Sequence, residues 1–392
     1  MRTFSLFSYF ASSFAIFSMF FGAGNVIFPL VLGSDWSDQL LFALLGLGLT
    51  GIVLPTLGLI SMALYDGQYE SYFSRIGPQI GFIVLCVIML LIGPFGAMPR
   101  IITVSYSTWA QSIPNTPFWA FNLGFCVLML LVTYRLTSLL RVLGYILTPL
   151  LLFFLILIIV IGLANGVSLP AGTNTFSQDL LIMAHGAQMG YNTMDLLGAL
   201  AFGAVVVTAL KSEFAAHGGN IGQHDIIRHV TISSIIAGVL LALVYAGLSV
   251  LSAMYASELQ HANSEELISV LTLHILGEHA GLVANGIVLL ACLTTGIALA
   301  AAFADFLNQK LNRFGNHYHK FLILTVGVSF IVAFLGFSKI MVLLMPILFV
   351  CYPVIIVLAL CNIAYKLWGF QYIKIPAAIA FTAALVTYYF VL

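Results

Sequence analysis

Long apolar runs dominate this sequence and constrain its fold more than any other feature. Of its 392 residues, 62% are hydrophobic and only 7% are charged, whereas about a quarter of a soluble domain is charged. So few charges cannot cover a water-facing surface, so most side chains must face lipid or other apolar helices. Because the formal net charge is zero, nucleic acid is not an expected partner. The expected surroundings are a lipid bilayer.

Eleven segments each approach the roughly 20 apolar residues that a membrane-spanning helix needs. They are 8–31, 39–64, 80–106, 117–134, 141–164, 183–210, 229–255, 281–306, 320–337, 340–364 and 375–391. We therefore predict an all-α polytopic membrane protein with about 11 transmembrane helices. Residues 1–392 would form a single transmembrane domain.

The basic residues of the loops predict the orientation, because lysine and arginine collect on the cytoplasmic side of a membrane. With a cytoplasmic N-terminus, eleven of the 13 lysines and arginines fall on the inner side. These are Arg2, Arg75, Arg135, Arg141, Lys211, Arg228, Lys310, Arg313, Lys320, Lys366 and Lys374. The outer side holds Lys339, and its longest loop (256–280) contains Glu258, Glu265, Glu266 and Glu278 but no lysine or arginine.

Two spans, the first and the sixth, are interrupted by polar or glycine-rich residues. The interruptions are 22–25, of sequence Gly-Ala-Gly-Asn, and 190–195, of sequence Gly-Tyr-Asn-Thr-Met-Asp. The first half of the chain would begin at span one and the second half at span six. Because each span crosses the membrane once and five is an odd number, the second half would have the opposite orientation to the first. Broken helices at matching positions of inverted halves indicate the central site of a transporter.

We therefore expect residues 22–25 and 190–195 to leave helical geometry and to face one another. The first repeat would cover about 8–164 and the second about 183–364, with an extra helix at about 375–391. The alternative is that the glycines only allow neighbouring helices to pack closely.

Two charged residues fall inside spans, where a charge is costly unless it is paired. Asp195 is a candidate for coupling or gating, but it could also link two helices or lie near the inner edge. Arg100 follows residues 93–99, which contain two prolines and two glycines that loosen the third span. It needs a carboxylate or freed carbonyl groups, so a gating or structural ion pair, a substrate contact and an outer-interface position all remain open.

Span eight contains adjacent threonines, Thr294 and Thr295, inside an apolar run. Their hydroxyl oxygens could bind an ion of the size of sodium. Alternatively, they bond back to the carbonyl four residues earlier, as threonines in helices often do. The sequence contains no Walker A, HExxH or GxSxG pattern, so we do not expect an enzyme.

Three motifs resemble those of the branched-chain amino acid:cation symporter family (LIVCS). They are 20–25 followed by Phe28-Pro29, 93–100 followed by 103–106, and 190–197 followed by 201–203. The resemblance implies a LeuT-like five-plus-five inverted repeat with broken helices 1 and 6. It also implies sodium-coupled uptake of leucine, isoleucine and valine through the inner (cytoplasmic) membrane of bacteria. Family members usually have a twelfth helix, and its absence here would affect assembly more than transport.

The LeuT-like resemblance also implies ligands for the coupling ion, Na+. The first sodium site would use the side chain of Asn25. The second would use the carbonyls of Ser18, Phe21 and Ala291 and the hydroxyls of Thr294 and Thr295. We expect the substrate carboxylate to meet freed N–H groups at a positive helix end, and the ammonium to meet freed carbonyls. The expected substrate residues are Ala23 and Gly24 for the carboxylate, Gly190, Tyr191 and Asn192 for the ammonium, and Met98 and Leu299 as apolar walls.

Two rival functions remain open at this point. A proton-coupled carrier of the same fold would titrate Asp195 and would not need sodium. An amino-acid sensor would bind the substrate without transporting it. The oligomeric state does not follow from the sequence.

Overall fold

The computed structural model describes residues 6–134, 142–165, 176–216, 222–277, 280–311 and 317–391. These segments are helical and contain no strand. Arg2, Arg135, Arg141, Arg313 and Glu278, which contributed to the predicted orientation, lie outside the described residues.

The helices follow one another with short connections. In chain order they are α1 (Leu6–Phe20), α2 (Ala23–Asp35), α3 (Leu40–Gly48), α4 (Leu54–Leu64), α5 (Tyr69–Phe73), α6 (Pro78–Ile92), α7 (Ala97–Ser112), α8 (Phe118–Thr133), α9 (Thr148–Ala164), α10 (Phe176–Asn192), α11 (Asp195–Ala216), α12 (Gln223–Met254), α13 (Ala256–Leu259), α14 (Leu267–Leu276), α15 (Ala280–Lys310), α16 (Tyr318–Val332), α17 (Phe337–Trp368) and α18 (Lys374–Val391). A π-helical turn, Leu49–Val53, joins α3 to α4, and another, Leu143–Leu147, precedes α9.

Helices occupy the described parts of all eleven predicted spans. Within these residues, eight helices are long and apolar enough to cross a membrane, or up to nine if the bent pair α1–α2 counts as one span. The segments predicted at 117–134 and 375–391 form shorter apolar helices, and α14 is a short apolar helix inside the predicted outer loop. The count of eleven spans therefore stays a prediction.

Large apolar side chains cover the outer surface of the helical bundle. Leu131 is 71% exposed, and Leu282 and Val342 are each 74% exposed. Soluble proteins rarely expose this much apolar surface, and where it occurs it marks a site that contacts another protein or a membrane. Together with the apolar helices, it fits a multi-pass protein whose surface contacts lipid.

The first predicted break is present, but it is narrower than the sequence indicated. Helices α1 and α2 meet at an angle of 70°. Only Phe21 and Gly22 lie outside them, so Ala23 to Asn25 form the first turn of α2. The helix resumes at once because two non-helical residues are enough to redirect the chain.

The second break is also narrower than predicted. Helix α10 continues to Asn192 and α11 begins at Asp195, so Thr193 and Met194 alone separate them. Met194 has a φ of 66°, a left-handed conformation that residues other than glycine rarely adopt. The helix is interrupted only at Thr193 and Met194, so residues 190–192 remain helical.

Small residues bring the helices around the breaks into close contact. A Cβ atom at Gly33 of α2 would lie 2.1 Å from the carbonyl oxygen of Ser249 in α12. Likewise, a Cβ atom at Gly186 of α10 would lie 2.1 Å from the carbonyl oxygen of Ala43 in α3. Small residues at such crossings let membrane helices approach at backbone distance. Glycine packing therefore holds both broken helices against their neighbours.

The connection between α4 and α6 gathers several basic residues at one end of the bundle. Lys211 of α11 lies 2.6 Å from Asp66, and Lys310 at the end of α15 forms an ion pair with Glu70. Arg75 belongs to the same connection. The sequence predicted that these three basic residues lie on the same side of the membrane. Their positions at one connection are consistent with that prediction.

Two glycines of α3 provide a test of this packing. A Cβ atom at Gly46 would lie 2.0 Å from the carbonyl oxygen of Met183 in α10, whereas one at Gly48 would meet nothing within 4 Å. We expect Gly46→Ala to destabilise the protein by about 1–3 kcal/mol, because overpacking forces the helices apart. Gly48→Ala should have no effect or a slightly stabilising one. The measurement is the apparent Tm of the purified protein in detergent, and a Gly46→Ala variant as stable as wild type would contradict this packing.

Candidate functional site

A small cavity lies between the two helix breaks. Its volume is about 30 Å³, which is room for about two water molecules and too little for an amino acid. It is lined by Met19, Phe20, Gly22, Ala23, Asn25, Ile92, Ala97, Arg100, Ile101, Thr193, Met194, Asp195, Gly198, Phe202, Thr295 and Leu299. Both breaks therefore converge on one space, together with α7 and α15.

Asp195 is held by neutral donors from two other helices. Its Oδ2 accepts a hydrogen bond of 2.6 Å from Nδ2 of Asn25 and one of 3.3 Å from the hydroxyl of Tyr245. The Asn25 amide also hydrogen-bonds the Tyr245 hydroxyl. Among the described residues, no lysine, arginine or histidine nitrogen lies within 4.0 Å of this carboxylate. The cluster joins α2, α11 and α12 around a carboxylate that is only 5% exposed.

The side chain of Asn25 also stabilises the first break. Its Oδ1 accepts a hydrogen bond of 3.1 Å from the backbone N–H of Gly22, and the backbone N–H of Asn25 donates to the Gly22 carbonyl at 3.1 Å. Asn25 was expected to bind sodium. In this structure its amide bridges the break in α1–α2 to Asp195.

Arg100 caps the C-terminal end of α10. Its Nη1 donates to the carbonyl of Asn192 at 2.8 Å and its Nη2 donates to the carbonyl of Thr193 at 3.3 Å. Carbonyl groups at a helix end lack partners within the helix and carry partial negative charge. Of the alternatives that the sequence left open for Arg100, contact with freed carbonyl groups is the one observed.

The carbonyl groups expected to hold the substrate ammonium are already occupied. The Gly190 carbonyl accepts from the Thr193 hydroxyl at 2.8 Å, and the Tyr191 carbonyl accepts from the N–H of Met194 at 3.1 Å. The Asn192 carbonyl accepts from Arg100, as described above. The prediction that these three groups are free is wrong, because the break lies beyond them and its own residues satisfy them.

Gly190 and Tyr191 have packing contacts. A Cβ atom at Gly190 would lie 2.0 Å from the Thr50 hydroxyl oxygen, so this glycine allows α10 to touch the π-helical turn after α3. The Tyr191 ring packs against the Tyr352 ring, with centroids 4.6 Å apart.

Of the two predicted apolar walls, the structure places one at the cavity. Leu299 lines it. Met98 is fully buried, but its sulfur lies 3.6 Å from the Ser329 hydroxyl, so the side chain faces α16 instead. The prediction for Met98 fails because it lies on a different face of α7 from Ala97 and Arg100, which do line the cavity.

Helix α15 touches the first break as the sequence predicted. The Thr295 hydroxyl donates to the carbonyl of Ser18 at 3.2 Å, and a Cβ atom at Gly22 would lie 2.9 Å from that hydroxyl oxygen. Thr294 does not reach across, because its hydroxyl bonds to the Ala291 carbonyl of its own helix at 3.0 Å. The expectation that both hydroxyls face α1 is therefore correct for Thr295 and wrong for Thr294.

Neutral oxygen donors from α1 and α15 meet at the first break. The Ser18 carbonyl and the Thr295 hydroxyl are separated by 3.2 Å. These neutral, hard oxygen donors suit a monovalent alkali cation, so the residues present are compatible with the expected ion.

Two residues of the site, Tyr245 and Phe202, had no role predicted from the sequence, although Phe202 lies in one of the family motifs. Tyr245 lies within the apolar run 229–255, where its only signal is a hydroxyl group at membrane depth. Phe202 follows the second break, and its ring lies 6.1 Å from that of Phe20. Both rings line the cavity. Such residues look like ordinary apolar packing until the fold brings them together.

Comparison with known proteins identifies relatives along almost the whole chain. The sequence model described as "Branched-chain amino acid transport protein" matches residues 6–391. The branched-chain amino acid permease BrnQ of Corynebacterium glutamicum is 32% identical over 355 residues, covering 90% of this chain and 80% of that protein. The branched-chain amino acid transport system 3 carrier protein of Pseudomonas aeruginosa is 31% identical over 362 residues, covering 91% and 81%.

Two solved structures share the fold at low sequence identity. A manganese transporter of Eremococcus coleocola has a TM-score of 0.59 at 12% identity, covering 96% of this chain and 85% of that chain. A Na+-coupled sialic acid symporter in a substrate-bound outward-open state also has a TM-score of 0.59, at 11% identity, covering 97% and 89%. The fold is thus that of membrane transporters, and by sequence the chain belongs to the branched-chain amino acid transport protein family, as its motifs predicted.

Proposed function

We propose that this protein imports leucine, isoleucine and valine by sodium symport across the inner membrane of a bacterium, with its N-terminus in the cytoplasm. The family to which this chain belongs is that of branched-chain amino acid transport proteins. The observation that carries the sodium assignment is the hydrogen bond from the Thr295 hydroxyl to the Ser18 carbonyl, at the break between α1 and α2. This contact brings oxygen atoms from two separate helices to the point where one helix has freed its backbone.

The proposed architecture is two inverted five-helix repeats, about 8–164 and about 183–364, with broken helices 1 and 6. In support of it, the first and sixth spans are interrupted at matching positions of the two halves, and both breaks line the same cavity. Alternating access would come from rocking of the helices that contain and flank the two breaks. The cavity of about 30 Å³ is consistent with such motion, since an amino acid can enter only after the helices move.

Sodium would couple to this motion by joining α1 to α15. The proposed ligands are the carbonyls of Ser18, Phe21 and Ala291 and the hydroxyls of Thr294 and Thr295, with Asn25 as a further candidate. An ion that bridges two helices favours the conformation in which they touch, so it shifts the conformational equilibrium as coupling requires. For Thr294 this requires a change of side-chain rotamer, because its hydroxyl now bonds within its own helix.

The substrate would bind with its carboxylate at the start of α2. The N–H groups of Ala23 and Gly24 lie in the first turn, where they have no partner within the helix and where the helix dipole is positive. Leu299, Ile92 and Phe202 supply apolar walls. Each methylene group in such a pocket contributes about 1–3 kcal/mol, enough to prefer leucine over alanine but not to separate leucine from isoleucine.

Proton coupling is the second candidate, and the surroundings of Asp195 favour it. This buried carboxylate has neutral partners, Asn25 and Tyr245, and no cation within 4.0 Å among the described residues. A carboxylate in these surroundings could carry a proton through the transport cycle.

Uptake of labelled leucine into proteoliposomes distinguishes these mechanisms. Sodium symport predicts that uptake collapses when external sodium is replaced by potassium at fixed pH, and that a proton gradient alone does not restore it. Uptake that persists in potassium and follows the proton gradient would favour coupling through Asp195. Leucine binding without uptake under either gradient would indicate a sensor.

Thr295 tests the sodium site directly. Thr295→Ala removes one proposed ligand, so the sodium concentration for half-maximal uptake should rise by about fivefold or more, with little change in leucine affinity at saturating sodium. Thr295→Ser should restore it, because the hydroxyl returns. Thr325→Ala is the matched control, since Thr325 is buried and bonds back within α16. An unchanged sodium dependence in Thr295→Ala would exclude this site.

Asp195→Asn keeps the volume of the side chain and removes its charge. We expect uptake to fall at least about tenfold while the protein still folds, because an intramembrane carboxylate is functional by default. Tyr245→Phe should reduce uptake less, since it removes only one donor to the carboxylate. Tyr106→Phe is the control, because its hydroxyl bonds to the Thr116 carbonyl away from the cavity. Near-normal uptake by Asp195→Asn would show the carboxylate to be structural.

A further inference from the structure

We propose that Arg100 binds the carboxylate of the substrate, with Asp195 as the receptor for its ammonium group. This inference rests on the proposed function, because it assumes that the cavity between the two breaks admits an amino acid. It replaces the expectation that the ammonium binds the carbonyls at the end of α10. Those carbonyls are bonded to Arg100 and to residues of the break itself.

Arg100 carries a buried charge, and the interruption of the third span places this residue at the cavity. The third span is interrupted between Ile92 at the end of α6 and Ala97 at the start of α7. Arg100 follows in the first turn of α7, is only 3% exposed, and lines the cavity. A charge inside a membrane protein is costly without a partner. The contacts of the Arg100 guanidinium therefore indicate its role.

The guanidinium group is only partly satisfied by the protein. Two of its nitrogens donate to the carbonyls of Asn192 and Thr193, but its Nε is buried and has no hydrogen-bond partner. In the described part of the chain, no carboxylate oxygen lies within 4.0 Å of the group. Arg100 therefore holds a positive charge that two carbonyl dipoles compensate in part, with donors left for an anion. A carboxylate is the anion that matches a planar guanidinium.

A second anion-attracting feature faces the same guanidinium group. A Cβ atom at Gly24 would lie 2.9 Å from Nη2 of Arg100, so the group lies directly against the first turn of α2. The N–H groups of that turn carry partial positive charge. Arg100 and the start of α2 therefore converge on one location, where a carboxylate would meet both.

The remaining walls of the cavity match the rest of a branched-chain amino acid. Asp195 supplies a single carboxylate, which suits an ammonium group. Phe20, Phe202 and Leu299 supply apolar surface. One positive group, one negative group and an apolar remainder describe a zwitterion with an aliphatic side chain. The site should therefore require both charges of the substrate.

A purely structural role for Arg100, as the cap of α10, makes a different prediction. Loss of the cap would weaken the binding of every ligand of this cavity to a similar extent. Loss of a carboxylate receptor would weaken only ligands that carry a carboxylate. L-Leucinamide separates the two roles, because it keeps the ammonium group and side chain of leucine but has a neutral amide in place of the carboxylate.

The experiment measures binding of L-leucine and L-leucinamide to purified full-length protein at saturating sodium, by ligand-dependent thermal shift. Wild type should bind leucine at least about tenfold more tightly than leucinamide. In Arg100→Gln, leucine binding should weaken about tenfold or more, because a hydrogen bond to a charged group is lost. Leucinamide binding should change less than about threefold. Arg100→Lys, which keeps the charge but not the planar fork, should fall between.

Arg75→Gln is the matched control, because Arg75 also donates to backbone carbonyls, those of Cys361 and Phe370, away from the cavity. It should keep the preference for leucine over leucinamide. If Arg100→Gln does not fold, Gly24→Ala replaces it, since its new methyl group must displace the guanidinium. The preference should then fall several-fold.

Equal weakening of both ligands in Arg100→Gln, or an unchanged preference in that variant or in Gly24→Ala, would overturn the proposal. If wild-type protein binds neither ligand, the proposed function itself fails. If wild type binds leucine but the variants keep their preference, only the assignment of Arg100 fails.

Discussion

Backbone groups freed at the two helix breaks need hydrogen-bond partners where no bulk water reaches, and the site is built from those partners. The Gly22 N–H is bonded by the Asn25 side chain, and the Ser18 carbonyl by Thr295. At the other break, Arg100 donates to the last carbonyl of α10, that of Asn192, and to the carbonyl of Thr193. Each partner brings its own helix or turn to the break, and Asn25 further links to Asp195. Satisfying the backbone therefore assembles the two breaks, α7 and α15 around one cavity.

The sequence predicted the features that depend on local composition. Apolar runs located the helices, and the polar interruptions located both breaks to within a few residues. The contact of Thr295 with the first break followed from the family resemblance. What the sequence could not predict depends on contacts between distant residues. Arg100 reaches carbonyls 92 and 93 residues away, and Tyr245 reaches Asn25 from 220 residues away. The wrong predictions, for the carbonyls of 190–192, for Met98 and for the Thr294 hydroxyl, came from break boundaries, helix faces and side-chain rotamers that only the packed structure fixes.

The charges around the cavity suggest how a transporter can hold a zwitterion without leaving an unpaired charge in lipid. Before the substrate binds, Arg100 is compensated by carbonyl dipoles and Asp195 by neutral donors. Neither group is fully neutralised, so each retains an affinity for the opposite charge. A substrate that carries both charges would satisfy the two groups together, which an amine or a carboxylic acid alone could not do. The same arrangement would link substrate binding to both breaks, and hence to the helices that must move.

A structure of the protein in lipid nanodiscs with sodium and leucine, determined by electron cryomicroscopy, tests this account most directly. We expect leucine between the two breaks, with its carboxylate within hydrogen-bonding distance of Arg100 and the first turn of α2. Sodium should lie between the Ser18 carbonyl and the Thr295 hydroxyl. Leucine bound elsewhere, or an Arg100 guanidinium that remains on the α10 carbonyls without contacting leucine, would contradict it.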